Sequence, residues 1–175
     1  EAQTLVEDIE SLLDEKQPSC EVIICPPFPY LEFATDEAVA NELFEVGAQN
    51  CSEQESGAFT GEVSAKMLDS IGVNCCIVGH SERRKYFKED NALLAKKIDS
   101  LLRYDIIPIY CVGEVLEERE NGTHFDVIRK QIEEALFHLK AADFENVIIA
   151  YEPVWAIGTG KTATPAFPSV RSVKS

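Results

Sequence analysis

Short apolar runs rich in β-branched residues alternate with helical patterns along this sequence, and that alternation constrains the fold more than any other feature. Each run has the length and composition of a strand buried on both faces of a parallel sheet. A strict alternation of strands and helices predicts parallel strands joined by right-handed helical crossovers. The five predicted strands are Glu21–Cys25, Leu43–Gln49, Val73–Val78, Ile106–Val112 and Val147–Tyr151.

The segments between these strands carry apolar residues at helical spacing. Five strands fit a doubly wound sheet as well as part of a (β/α)₈ barrel, so the pattern alone leaves both folds open. After Pro165 the pattern stops, and we expect a domain of residues 1–165 followed by an irregular tail, residues 166–175. The predicted helices are residues 1–16, Tyr30–Asn41, Glu62–Ile71, a short helix from an N-cap at Ser81 to Arg84, Asn91–Arg103, and Glu114–Lys140 with a break at Asn121-Gly122.

The net charge of −15 argues against nucleic acid or an anionic membrane surface as a partner. An anionic substrate would therefore have to be held by local donors such as backbone amides. The six cysteines show no metal-binding spacing, and most lie in or beside apolar strands, as is typical of a reducing compartment. With no membrane-spanning run and no basic leader in the sequence, we expect a cytoplasmic protein.

Two polar residues directly follow predicted strands, where α/β folds keep their chemistry. Glu152 precedes a stiff Pro153, and Gly158 and Gly160 loosen the far end of the segment, which predicts a lid beside a catalytic carboxylate. The alternative is a surface loop with a solvated glutamate. His80 lies just ahead of a helix N-terminus, whose dipole disfavours a charged imidazole. A structural hydrogen-bonding histidine is the alternative there.

Four motifs, in order and spacing, resemble the triosephosphate isomerase family, and the resemblance extends to about Pro165. They are Gly57-Ala58-Phe59-Thr60-Gly61-Glu62, Gly79-His80-Ser81-Glu82-Arg83-Arg84, Cys111-Val112-Gly113-Glu114, and Ala150 to Ala163. The resemblance selects the α/β fold of the (β/α)₈ barrel family, with five of its strands and their helices present. It implies interconversion of dihydroxyacetone phosphate and glyceraldehyde 3-phosphate through an enediol(ate), a step of glycolysis and gluconeogenesis, with no cofactor and no metal.

The resemblance also assigns roles to individual residues. It implies that Glu152 is the general base and that His80 is a neutral electrophile that polarises the substrate oxygens. The supporting residues would be Ser81, Glu82 and Asn50, and the phosphate-binding lid would be Gly158, Thr159, Gly160 and Lys161. A homodimer is implied as well, with contacts through Thr60, Glu62 and Arg83. For these contact residues, a solvated loop and a surface ion pair are the alternative.

Parts of the family pattern fall outside this sequence, which begins after the family's first strand. That strand carries a catalytic lysine and an asparagine, and the seventh and eighth strands carry a phosphate-binding serine and glycines. We therefore expect the 175-residue chain by itself to show little or no isomerase activity. We also expect it to be marginally stable and to aggregate, bind a chaperone, or pair with other chains through its two edge strands. A non-catalytic α/β domain that retains isomerase motifs by descent is the rival hypothesis.

Overall fold

The computed structural model describes residues 2–156. Five strands alternate with helices over this range, and each of the three recorded strand pairings is parallel, which confirms the main prediction from the sequence. The elements are α1 (Ala2–Lys16), β1 (Ile23–Ile24), α2 (Leu31–Asn41), β2 (Glu45–Ala48), α3 (Ala65–Asp69), β3 (Cys75–Val78), α4 (Ser81–Phe87), α5 (Asn91–Leu102), β4 (Ile107–Val112), α6 (Leu116–Glu120), α7 (His124–Leu136), α8 (Ala141–Phe144) and β5 (Ile148–Tyr151).

The chain forms two compact units, and the first contains residues 2–77 and 100–107. In this unit β1 pairs with β2, Ile24 opposite Val46, and β2 pairs with β3, Gly47 opposite Cys75. Most residues of β2 and β3 are buried together with apolar residues of α2 and α3, as expected of a parallel sheet covered by its crossover helices, whereas β1 is half-buried. The core side chains include Leu31, Ala34, Val46, Ala48, Leu68, Cys75 and Cys76.

The second unit contains residues 78–99 and 108–156. Here β4 and β5 pair in parallel from Ile109 opposite Ile148 to Val112 opposite Tyr151. The pairing brings the carboxyl ends of both strands to the same edge, where Gly113 and Glu152 follow. Buried side chains from the helices, from β4 and from the last residue of β3 form the core of this unit: Val78, Leu94, Ile98, Tyr110, Val112, Ala135 and Leu136.

Two local predictions were wrong, and one short helix was not predicted. The N-cap of α4 is His80 rather than Ser81, and the helix continues three residues past Arg84 to Phe87. Helix α3 begins only after Ser64, whose hydroxyl oxygen accepts the Met67 N–H at 3.2 Å and so fixes the first turn. The segment Ala141–Phe144 forms an additional helix. The predicted break at Asn121-Gly122 is confirmed, since α6 ends at Glu120 and α7 begins at His124.

Two kinds of feature are absent from residues 2–156, a membrane-spanning helix and a cluster of metal-binding side chains. None of the helices there is long and apolar enough to cross a membrane. No group of three or more histidine, cysteine, aspartate or glutamate side chains in the same range is arranged to hold a metal ion. The predicted lid residues Gly158–Lys161 and the predicted tail lie outside the described residues.

Candidate active site

The turn between β3 and α4 presents His80 and Ser81. Gly79 has φ +78°, a backbone conformation that glycine adopts without strain. The carbonyl oxygen of Gly79 accepts a hydrogen bond from Arg84 Nε at 2.8 Å, which fixes the turn from the following helix. His80 then caps α4, since its Nδ1 accepts the Glu82 N–H at 3.4 Å.

Glu152 follows β5, and its carboxylate contacts the His80–Ser81 turn. Ser81 donates its backbone N–H to Glu152 Oε1 at 2.6 Å and its hydroxyl to Oε2 at 3.0 Å. The ring nitrogen Nε2 of His80 lies 3.3 Å from the same Oε2. The Glu152 side chain is 17% exposed and the His80 side chain 38%, so the pair is partly shielded but open to a small molecule.

The hydrogen bond at Nδ1 of the His80 ring assigns the tautomer of its neutral form. Because Nδ1 accepts a hydrogen bond, the proton of the neutral ring lies on Nε2, the atom that faces Glu152. The site therefore holds a carboxylate that can accept a proton beside an N–H that can donate one. A substrate carbon acid that contacted both groups, in exchange for one of the present contacts of the carboxylate, could lose a proton while its oxygen received a hydrogen bond.

A hydrogen-bonded network of side chains lies behind this pair. Arg84 Nη2 donates to the hydroxyl of Tyr110 at 3.1 Å, and that hydroxyl donates to the backbone oxygen of Gln131 at 2.8 Å. The side-chain amide of Gln131 then pairs with both backbone groups of Gly113: Gly113 N–H donates to Oε1 at 3.0 Å, and Nε2 donates to Gly113 O at 2.9 Å. Burial raises the pKa of the Tyr110 phenol, so it remains a neutral donor in this network.

Gly113 lies directly against the backbone of Glu152. A Cβ atom built on Gly113 would be only 1.9 Å from the Glu152 carbonyl oxygen and 3.4 Å from its Cγ. Only glycine fits so close an approach. The Glu152 N–H donates to Val112 O at 2.9 Å, which extends the β4–β5 pairing up to the catalytic candidate.

Glu114 is a second acid at this edge, and it is fully buried. Its Oε1 accepts hydrogen bonds from Trp155 Nε1 at 2.8 Å, Tyr151 OH at 3.1 Å and Arg119 Nη1 at 3.2 Å. Burial and the nearby Glu114 carboxylate raise the pKa of Tyr151, which therefore donates as a neutral phenol. The carboxylate thus anchors the segment that leads from Glu152 toward the predicted lid.

The other residues assigned by resemblance lie in varied surroundings. Asn50 is buried in the first unit, two residues after β2. Glu82 has an exposed side chain, and its carboxylate lies 3.8 Å from His80 Nδ1. Thr60 and Glu62 are exposed in the first unit. Arg83 donates to the buried carboxylate of Glu89 at 2.8 Å.

A groove of about 540 Å³ opens beside the Glu152 carboxylate. Its lining combines the site with the exposed side of α4 and with the segment after β4, and it includes Ser81, Lys85, Tyr86, Gly113, Gln131 and Glu152. Cationic, hydroxyl and amide groups thus line the groove together with two further acids, Glu82 and Glu118.

The sequence interpretation gave no role to Arg84, Gln131 or Glu114. Arg84 and Glu114 both lie within quoted motifs, and Glu114 is the second residue after β4, a position similar to the one that identified Glu152. Position after a strand could therefore have found Glu114. Gln131 lies in the middle of α7 with no local signal, and only the fold brings it to Gly113.

Comparison with known proteins places this geometry in context. The family model described as triosephosphate isomerase matches residues 1–172. A triosephosphate isomerase of Porphyromonas gingivalis is 50% identical over 164 residues, which are 94% of this chain and 65% of the relative. Those of Clostridium tetani and Bacteroides fragilis are 48% and 47% identical, over 89% and 95% of the chain and 61% and 65% of the relatives. The chain therefore spans slightly less than two thirds of the length of these curated relatives.

Proposed function

Because the chain belongs to the triosephosphate isomerase family, we propose that the protein interconverts dihydroxyacetone phosphate and D-glyceraldehyde 3-phosphate. Glu152 would remove a proton from the carbon next to the substrate carbonyl, and the enediol(ate) would receive a proton at the neighbouring carbon. Both steps are proton transfers within reach of a carboxylate and an imidazole, so the proposal requires no cofactor. The observation that carries it is the 3.3 Å approach of His80 Nε2 to Glu152 Oε2.

The described geometry also indicates what must change when substrate binds. The Glu152 carboxylate receives donors from Ser81 N–H and Ser81 Oγ, and His80 Nε2 lies within reach of it. To accept a proton from carbon, it must exchange at least one of these contacts for the substrate. His80 Nε2–H would then be available to the substrate oxygens, where negative charge develops.

Turnover in heavy water tests this proposal in the protein that carries these residues. Isomerisation through an enediol(ate) incorporates solvent deuterium at the carbon that receives the proton. We expect Glu152→Gln to lower kcat and deuterium incorporation together by about 10²–10⁴-fold, since the amide cannot accept the proton. Glu145→Gln makes the same chemical change at an exposed site and should leave both rates unchanged.

Two results would count against the proposal. One is a wild-type protein that neither isomerises the triose phosphates nor exchanges their carbon-bound hydrogen. The other is a Glu152→Gln variant that keeps more than a tenth of the wild-type rate, because a different group would then be the base.

We also propose that the protein forms a homodimer through the exposed side of α4 and through Thr60 and Glu62. On α4, Tyr86 and Phe87 are 66% and 65% exposed. The guanidinium of Arg83 lies 4.3 Å from the centre of the Phe87 ring. Aromatic residues and arginine are enriched at the centres of protein interfaces, which supports this assignment.

Sedimentation equilibrium tests the dimer. We expect Phe87→Lys to raise the dimer dissociation constant by about tenfold or more, because it replaces an aromatic anchor with a charge. Val39→Lys, at an exposed position of α2, is the matched control. Equal dissociation constants for the two variants would contradict the assignment.

All six cysteines are free thiols, which supports a cytoplasmic location for the proposed activity.

A further inference from the structure

We propose that Gln131 is a positioning residue for Glu152, an assignment that rests on the proposed isomerase function. Gln131 lies on α7, and its side-chain amide forms hydrogen bonds with Gly113 and not with Glu152. Its side-chain amide instead holds Gly113 through two hydrogen bonds, one to each backbone group. It thereby takes the place that a neighbouring β-strand would occupy at the end of β4.

The approach of Gly113 to Glu152 explains why this pairing matters. The space between Gly113 and the Glu152 carbonyl oxygen does not admit even a methyl group. A Cβ added to Gly113 would also be 3.4 Å from Glu152 Cγ, the side-chain carbon that carries the carboxylate. A displacement of the Gly113 backbone therefore displaces Glu152 or opens a gap beneath it.

The far side of Gln131 is fixed as well. Its backbone oxygen accepts the hydroxyl of Tyr110 at 2.8 Å, and Tyr110 is fully buried. Arg84 donates both to that hydroxyl and to the carbonyl of Gly79, the residue before His80. One chain of contacts thus supports the turn that carries the electrophile and the residue beneath the base.

Within residues 2–156, the backbone N–H and C=O of Gly113 form their hydrogen bonds with the side chain of Gln131. Replacing Gln131 by methionine keeps the length of the side chain and removes its donor and its acceptor. Gly113 would then turn its N–H and C=O to water in the adjoining groove, and the Glu152 carboxylate would lose its fixed position. A misplacement of about 1 Å at a reacting group costs about 10²-fold in rate.

Steady-state kinetics of Gln131→Met in the whole protein test the assignment. We expect kcat per folded molecule to fall by about tenfold to a hundredfold with KM within twofold of wild type, because the position of the base affects the transition state and not ground-state binding. Exchange of the substrate's carbon-bound hydrogen with solvent deuterium should fall by the same factor. Glu133→Met, an exposed position on the same helix, is the matched control and should change neither rate.

The folded fraction is measured by circular dichroism at the assay temperature, since a purely structural role lowers only the number of active molecules. If Gln131→Met does not fold, Gln131→Glu keeps the size and polarity of the side chain but cannot donate to Gly113 O, and the same kinetic pattern is expected. A wild-type kcat per folded molecule in the variant that folds would overturn the assignment while leaving the proposed function intact. A wild-type protein without isomerase activity or exchange would overturn both.

Discussion

The contact between Gly113 and Glu152 makes Gly113→Ala the sharpest test of how the base is held. The added Cβ would be 1.9 Å from the Glu152 carbonyl oxygen, and real Cβ contacts are essentially never below 3.0 Å. The backbones of Gly113 and Glu152 must therefore separate by more than 1 Å. Because both residues follow paired strands, neither can yield without disturbing the β4–β5 pairing.

Two opposing effects set the expected stability of Gly113→Ala. Restricting the unfolded chain favours alanine by about 0.4–1 kcal/mol. Overpacking of this kind costs about 1–3 kcal/mol, and here the clashing atom is backbone and cannot rotate away. The clash therefore outweighs the entropy gain, and we expect the free energy of unfolding to fall by about 1–2 kcal/mol.

The expected effect of Gly113→Ala on activity is larger than its effect on stability. A displacement of about 1 Å at the base corresponds to a loss of about 10² in kcat. Urea titration gives the stability change, and triose phosphate turnover under conditions where the variant is folded gives kcat. Gly122→Ala is the matched control: its Cβ meets no atom within 4 Å, but φ is +73°.

At Gly122 the left-handed backbone alone should cost about 1–2 kcal/mol without lowering kcat. The pair of variants thus separates loss of stability from displacement of the base. If Gly113→Ala keeps the wild-type kcat, the close approach does not fix Glu152 and our account of the site is incorrect. If Gly122→Ala loses activity to the same extent, stability and not position controls the rate.

Three further outcomes follow from the buried groups. Glu89→Ala removes the carboxylate that lies 2.7 Å from the buried Lys97 ammonium. Urea titration should show that the free energy of unfolding falls by about 3 kcal/mol, and an unchanged midpoint would contradict this. Burial raises the pKa of the Cys75 and Cys111 thiols to about 12, so a thiol reagent at pH 8 should label the exposed Cys20 first, and mass spectrometry would reveal any other order. These two thiols keep their protons in the folded state and ionise near pH 9.0 when the chain is unfolded. The free energy of unfolding should therefore fall as pH rises from 9 toward 12. A rise in the denaturation midpoint over that range would exclude the effect.

The sequence by itself determined the order of the elements and the edge of the sheet to which the candidate site residues belong. Apolar runs such as Ile106–Val112 carry a local period that predicts a strand regardless of its partners. His80 and Glu152 each follow such a run, and residues after parallel strands meet at one edge. Local pattern was therefore sufficient to single out both positions, whereas the roles of base and electrophile came from the family resemblance and stay predictions.

Element boundaries required the tertiary structure, because they depend on pairing and capping partners. The strand predicted over Glu21–Cys25 pairs with β2 only at Ile23 and Ile24. The helix predicted to begin after Ser81 is capped by His80 instead, since the Ser81 hydroxyl donates to Glu152. Serine is a favourable N-cap residue, but the hydroxyl of Ser81 is engaged by Glu152, 71 positions away, and does not cap the helix.

The support of the site was likewise decided only by the fold. The bonds between Gln131 and Gly113 join residues 18 positions apart, and those between Ser81 and Glu152 span 71 positions. Periodicity and propensity describe what a segment favours over a few turns, whereas such contacts depend on how helices and strands pack in three dimensions. The sequence alone therefore predicts an exposed side chain for a glutamine in the middle of a helix. Only the fold shows that Gln131 contacts the end of the strand beside the proposed base.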